Sequence, residues 1–182
     1  TNAYDGGRSA STNAKILSVN SIFRFNRVFR NWGGPISANP EEDWQFRNVR
    51  LYHNVFDDNA QYGLGINIGS DAVSNVKLVN NVFHRNDIHG GQRQLQLSGF
   101  GSPEVLSDGR ILPRVSLIGN AISALDPEVK DTVAFAGQLT SVETLASGLW
   151  RSVTRTSAAV RVEGNLTHAP RFADAENYNH AL

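Results

Sequence analysis

The chain of 182 residues contains no cysteine and no methionine. Lacking cysteine, it has no disulfide, no thiolate nucleophile and no zinc–thiolate site. The compartment stays open on that ground, because a repeat protein gains enough apolar contact between its units to dispense with disulfides. With no methionine at position 1, the chain is expected to begin after a processing site or partway through a longer protein. No run of about 18 apolar residues occurs, which excludes a membrane-spanning helix, and no signal peptide is legible. Charge of neither sign is in excess: 17 basic and 17 acidic residues cancel. No overall field therefore recruits nucleic acid or an anionic membrane, and neither is expected as a partner. A basic site must be local, and basic residues do gather between Arg24 and Arg50.

Self-sufficient catalytic signatures are missing as well. There is no His-Glu-x-x-His and no Gly-x-Ser-x-Gly, and Asp5-Gly6-Gly7 and Asp108-Gly109 are turn signals without a phosphate-binding fingerprint. The nonapeptide calcium repeat is absent, and no metal site is identified.

What the chain does have is a repeat. Val49 to Asn59, VRLYHNVFDDN, returns as VKLVNNVFHRN from Val76 to Asn86, at a period of 27 residues. One strand-sized unit recurring at that period implies the stacked coils of a solenoid, each burying its apolar face on its neighbours. Aligned on the asparagine that ends the strand, five copies emerge: SIFRFN to Asn26, VRLYHN to Asn54, VKLVNN to Asn81, VSLIGN to Asn120 and VRVEGN to Asn165. The first is the least secure, since SVN to Asn20 competes for the register. Val49 and Leu51, like Val76 and Leu78, alternate with Arg50, Tyr52, Lys77 and Val79, the period-2 pattern of a half-buried strand.

A second asparagine follows five residues later at Asn31, Asn59 and Asn86, preceded by Phe29, Phe56 and Phe83, with the first phenylalanine offset by one. Stacking predicts asparagine ladders at the turns and phenyl rings piled inside. Further strands are predicted near Ile36, Ile66 and Leu97, each after a glycine (Gly34, Gly63, Gly91) that serves a tight bend. About 27 residues per coil predict a third strand per turn.

The longer spacings read as insertions. Ser98 to Pro113 carries Gly, Ser, Pro and Asp-Gly and predicts a protruding loop or hairpin. Between Leu125 and Ser157, Thr140-Ser-Val-Glu143 has capping-box spacing and predicts a short helix ending near Gly148, with Leu145, Leu149 and Trp150 on its buried face. The organisation expected is one domain over 1–182: an irregular lead-in (1–13), regular coils (14–97), insertions (98–114 and 124–157) and a final coil (158–182).

The v-x-l-x-x-N-x-f-x-x-N coil with glycine turns resembles the right-handed parallel β-helix superfamily, the pectate-lyase-like proteins, over roughly residues 14 to 182. The closing segment from Gly164-Asn165 through Ala169-Pro-Arg-Phe-Ala-Asp174 to Leu182 is similar to the final coil of secreted members, with Ala169 in place of the usual acidic residue. The resemblance implies an all-β, right-handed parallel β-helix of about five coils and an extracellular or cell-surface location. Known members carry more coils and a capped N-terminal end, which the polar Thr1 to Asn13 does not provide. The chain is therefore expected to be a C-terminal portion of a longer protein, with further coils or another chain stacked on an open end.

The resemblance further implies grooves along one sheet face in which acidic polysaccharides lie, as in lyases, hydrolases, epimerases and phage tailspikes. A lyase needs a base and a cation that holds the substrate carboxylate. Arg50 and Lys77 share one repeat position and Arg161 recurs there two coils later, so the three are expected to form a column on one exposed face. Lys77, Arg50 and His53 are the candidate catalytic residues; Tyr52, Arg161, Asn67 and Gln94 are the candidate substrate-binding residues. His53, His84 and His89 occupy different repeat positions and need not converge. Asp57-Asp58, with Asp71 and Asp87, offer carboxylates for hydrolysis or calcium, but the pair reads as solvated turn chemistry. Calcium is allowed as a cofactor by the resemblance alone. The expected activity is that of a polysaccharide lyase or epimerase on an acidic glycan; the alternative is a non-catalytic structural or glycan-binding module.

Overall fold

The computed structural model describes residues 17–32, 37–38, 45–88, 90, 92–99, 101–148 and 159–168. The first coil holds β1 (Leu17–Val19), β2 (Ile22–Arg24), β3 (Arg27–Phe29) and β4 (Ser37–Ala38), and the second β5 (Gln45–Arg47), β6 (Arg50–Tyr52), β7 (Val55–Asp57) and β8 (Leu64–Asn67). The third holds β9 (Val73–Ser74), β10 (Val76–Val79), β11 (Val82–His84) and β12 (Leu95–Ser98). A hairpin of β13 (Glu104–Val105) and β14 (Ile111–Leu112) precedes the fourth coil, which consists of β15 (Val115–Ile118), β16 (Ala121–Ser123) and β17 (Val133–Phe135). After it come β18 (Gln138–Thr140), the helix α1 (Val142–Ser147) and β19 (Val160–Glu163), which opens the fifth.

Equivalent strands stack into parallel sheets: sheet A is β1-β5-β9, sheet B β2-β6-β10-β15-β19, sheet C β3-β7-β11-β16, and sheet D β4-β8-β12-β17 with β18 added antiparallel. This is a right-handed parallel β-helix, all-β among the described residues apart from one short helix.

Each of the first three coils has four strands, not the three expected, because the backbone turns left-handed every fifth residue. Asn20, Phe25 and Arg30, then Asn48, His53 and Asp58, then Asn75, Asn80 and Arg85 all have φ between 51 and 57°. The bends at Asn48 and Asn75 divide what would otherwise be one long strand. A side chain in this conformation costs about 1–2 kcal/mol. The asparagine that follows each of the second and third bends supplies compensation.

Asn54 shows the pattern. Its backbone N–H and its Nδ2 both donate to Oδ1 of Asn81, at 3.0 and 2.9 Å, and its Nδ2 also donates down to the Phe23 carbonyl at 2.9 Å. The ladder runs from Asn26 through Asn54, Asn81 and Asn120 to Asn165, the repeat positions expected, and the pairing of Phe23 with Leu51 settles the first register on Asn26. A second ladder links Asn31, Asn59 and Asn86. Its next rung should fall at position 125, but that residue is Leu125, which is exposed. Gln94 takes over: Asn86 N–H and Nδ2 donate to its Oε1 at 3.0 and 2.9 Å.

Inside, Phe56 and Phe83 stack with ring centroids 4.8 Å apart and planes 2° from parallel, and both are fully buried. Phe29 does not continue this pile. The offset puts Val28 opposite Phe56 and turns Phe29 outward opposite Asp57. Gly63 is needed for space and not for a special bend: a Cβ there would lie 2.9 Å from both Asn86 Nδ2 and Phe56 Cβ. Gly34, Ile36, Gly91, Leu149, Trp150, Thr1 to Asn13 and the closing segment from Ala169 lie outside the described residues.

The first insertion is a hairpin, one of the two forms expected, whereas the span 124–157 holds the sheet D strand β17 and its antiparallel partner β18 besides the expected helix, because the coil closes on β12 before the chain departs from the repeat. Asp108 and Gly109 turn the β13–β14 hairpin, Gly109 with φ 81°. The hairpin is clamped to the coils: Glu104 pairs with Arg47 at 3.3 Å and accepts from Ser74 Oγ, while the buried Arg114 donates to the Ser70, Val73 and Ser102 carbonyls and to Asp71. Helix α1 starts one residue later than the sequence pattern indicates, because Ser141 and not Thr140 accepts the capping bond from Thr144 N–H, at 3.0 Å. Gly148, with φ 72°, ends it, and Leu145 is its buried contact.

Candidate functional site

The outward residues of sheet B form two columns along the solenoid. In the first, register places Ile22, Arg50, Lys77, Ser116 and Arg161 on successive rungs. In the second lie Arg24, Tyr52, Val79, Ile118 and Glu163. The column anticipated from the repeat therefore exists: Arg50 and Lys77 are neighbours at about 4.8 Å strand spacing, with Arg161 two rungs beyond. Like charges directly opposite on adjacent strands are destabilising. Among the described residues, neither Arg50 nor Lys77 has an ion pair that would relieve this.

Arg161 differs. Its Nε and Nη2 donate to the two carboxylate oxygens of Glu163 at 2.6 and 2.8 Å. The hydrogen bond from Arg161 holds the Glu163 carboxyl below its ordinary pKa, and the reciprocal bond raises that of Arg161. One end of the column is thus neutralised while Arg50 and Lys77 stay open. Four cations and one carboxylate on a single face of a neutral chain make it a basic stripe.

Beside the stripe, the corner between sheets B and C carries an aromatic ledge. Tyr52 is the last residue of β6 and His53 the left-handed residue after it. Phe25, the equivalent corner one coil below, is 70 % exposed and stacks on His53 at 5.5 Å and 30°. Tyr52 meets both edge-on, 6.1 Å from Phe25 and 5.6 Å from His53. Arg24 Nη1 donates to Tyr52 Oη at 3.0 Å. Sequence reading missed Arg24 and Phe25, although aligning the first copy on Asn26 puts Arg24 opposite Tyr52.

Right-handed stacking of asparagine-laddered parallel strands is the decisive observation, and the family model described as "right handed beta helix region" matches residues 3–102. The chain belongs to the right-handed beta helix family. No curated protein and no solved structure matches it.

The other predicted site residues do not join the stripe. Gln94 is fully buried and its amide is spent on the ladder, Nε2 donating to the Asn86 and Gln92 carbonyls, so it is a structural residue and not a substrate contact. Asn67 ends β8 on sheet D, and its Oδ1 accepts from Gly69 N–H at 3.0 Å. It belongs to another face of this beta helix than Arg50 and Lys77.

Sheet C supplies a further correction. Asp57 is not solvated turn chemistry; it is the last residue of β7, 0 % exposed, and forms a two-pronged ion pair with Arg85 at 3.1 Å on each oxygen. His84 pairs with it in register and Ser123 follows on the next rung, with His84 Nδ1 and Ser123 Oγ 3.0 Å apart. Both are buried, and none of the three opens onto the stripe. Asp58 occupies the bend and pairs with Arg30 at 3.4 Å, Asp71 holds Arg114, and Asp87 holds Arg93. His89 lies outside the described residues. Among the described residues no group of three or more His, Asp or Glu is arranged to hold a metal ion, and no helix is long and apolar enough to cross a membrane.

Proposed function

We propose that this beta helix is a secreted or surface-exposed module that holds an acidic polysaccharide along the outer face of sheet B. The observation that carries the reading is the Arg50–Lys77 pair on adjacent rungs, without an ion pair among the described residues and flanked by the Tyr52–His53–Phe25 ledge. A polyanion laid across the rungs offsets the repulsion between the cations, and sugar C–H faces pack on the exposed rings. Exposed ion pairs contribute about 0.2–1 kcal/mol each. Two of them correspond to roughly 2- to 30-fold in affinity. Titration calorimetry with polygalacturonate against dextran checks this: the wild type takes up the polyuronate with an affinity that falls with salt, and Arg50→Ala/Lys77→Ala loses about an order of magnitude. Undiminished affinity in the double variant removes the stripe from recognition.

The Arg24–Tyr52 hydrogen bond supports a second, catalytic reading as a lyase. With its oxygen held by Arg24, Tyr52 would serve as the base that takes the proton next to a uronate carboxylate held by Arg50 and Lys77, the C–H electron pair forming the new C=C bond as the glycosidic C–O bond breaks. Ultraviolet absorbance of unsaturated product tests it. Turnover lost in Tyr52→Phe with binding retained supports elimination; binding by the wild type without product leaves the module non-catalytic.

A further inference from the structure

Sheet D carries a second concavity, remote from the basic stripe and different in chemistry. A cavity of ≈ 390 Å³ lies where β12 meets the β17–β18 hairpin, lined by Arg93, Gln96, Ser98, Ala134, Gln138 and Leu139 among others. The topology makes it. Leu95, Leu97, Val133 and Phe135 point into the core and are buried, so Gln96 and Ala134, opposite one another in register, face outward. Leu139 pairs with Ala134 across the hairpin. On the other side of Gln96 the outward residue is Gly65, over which the Tyr62 ring lies so closely that a Cβ would come within 2.7 Å of it. Gln96 therefore stands between two small residues, with a depression left on the hairpin side.

The lining is polar, pre-positioned and without net charge. Arg93 is fixed by Asp87, which is 3 % exposed and accepts from the Arg93 backbone N–H at 3.2 Å and from Nε at 2.7 Å. That carboxylate cancels the guanidinium charge. Arg93 Nη1 donates to Gln96 Oε1 at 3.4 Å, which orients the amide and leaves its N–H₂ without a partner among the described residues. The Ser98 hydroxyl and the Gln138 amide likewise have no partner among the described residues. An apolar ligand would strand these groups at about 1–3 kcal/mol each where they become buried. An anion would find its countercharge already taken.

Hydroxyls that both donate and accept suit amides and a serine, and aliphatic C–H surface suits Leu139 and Ala134. The volume lies within the range of small-molecule sites. From this geometry we infer that the sheet D cavity binds the ring of a neutral saccharide, separately from the acidic glycan of sheet B.

Two-dimensional amide NMR of the whole chain tests it, titrating cellobiose, maltose and xylobiose as neutral probes and digalacturonate as the anionic one. A neutral disaccharide is expected to shift the side-chain amides of Gln96 and Gln138 with millimolar affinity, and Arg50→Ala/Lys77→Ala to leave those shifts unchanged. Ala134→Phe, an outward substitution that fills the depression, is expected to abolish them at an unchanged melting temperature; if that variant fails to fold, Gln96→Ala is expected to weaken binding at least about 5-fold. No shift with any neutral probe to about 50 mM, well above a millimolar Kd, overturns the proposal. So does an equal response to digalacturonate, or undiminished binding in Gln96→Ala.

Discussion

Asn81→Ala tests whether the asparagine ladder holds the coils together. Asn81 is 1 % exposed and makes four side-chain bonds: Oδ1 accepts from the Asn54 N–H and Nδ2, while Nδ2 donates to the Leu51 carbonyl at 2.8 Å and to Asn120 Oδ1 at 3.0 Å. Truncation leaves the buried Asn54 N–H without its acceptor and takes a donor from the Leu51 carbonyl. At about 1–3 kcal/mol for each stranded group, with a small void added, the loss is about 3–5 kcal/mol. Asn165→Ala removes bonds of the same kind at a half-exposed rung, where water replaces them, and is expected to cost about 1 kcal/mol. Urea unfolding followed by circular dichroism measures both, and the central variant should melt about 10 °C below wild type. Equal losses for the two substitutions would show that the amides contribute by local turn preference and not by bridging buried coils.

Gln94→Ala is expected to destabilise by about 2–3 kcal/mol, because the buried Asn86 N–H loses its acceptor, and to leave polygalacturonate affinity unchanged; weakened binding at intact stability would restore Gln94 to the substrate site. His53→Gly relieves a left-handed bend at φ 54° and should raise stability by about 1 kcal/mol while weakening glycan binding through loss of the ledge. Stability and affinity moving together would contradict that separation. Glu163→Gln frees Arg161 and should tighten polyuronate binding severalfold and steepen its salt dependence, as read by calorimetry. The Glu163 pKa is depressed below its ordinary 4.5 by the Arg161 hydrogen bond, so the stabilisation from that pair is present above the unfolded pKa and is lost as pH falls through the folded one; a pair that broke near neutral pH would refute this.

The sequence by itself determined the scaffold. Val, Leu and Phe at period 2, asparagines five residues apart and a 27-residue recurrence name the inward positions and the ladders, because stacking places equivalent residues one strand spacing apart. The same logic makes the Arg50–Lys77–Arg161 column legible, since repeat position alone fixes which side chains share a rung column. The fates of Gln94 and Asp57 were decided by the tertiary structure. Gln94 stands as a candidate substrate-binding residue until the second ladder loses its next asparagine at Leu125 and an amide eight residues past Asn86 fills the place. Asp57 reads as a turn residue until the bend falls on Asp58, which leaves Asp57 on a strand whose outer side is buried, where Arg85 pairs with it. The sheet D cavity likewise depends on a hairpin that departs from the repeat. Periodicity specifies what recurs, whereas burial at an insertion or a ladder end depends on which segments meet in space.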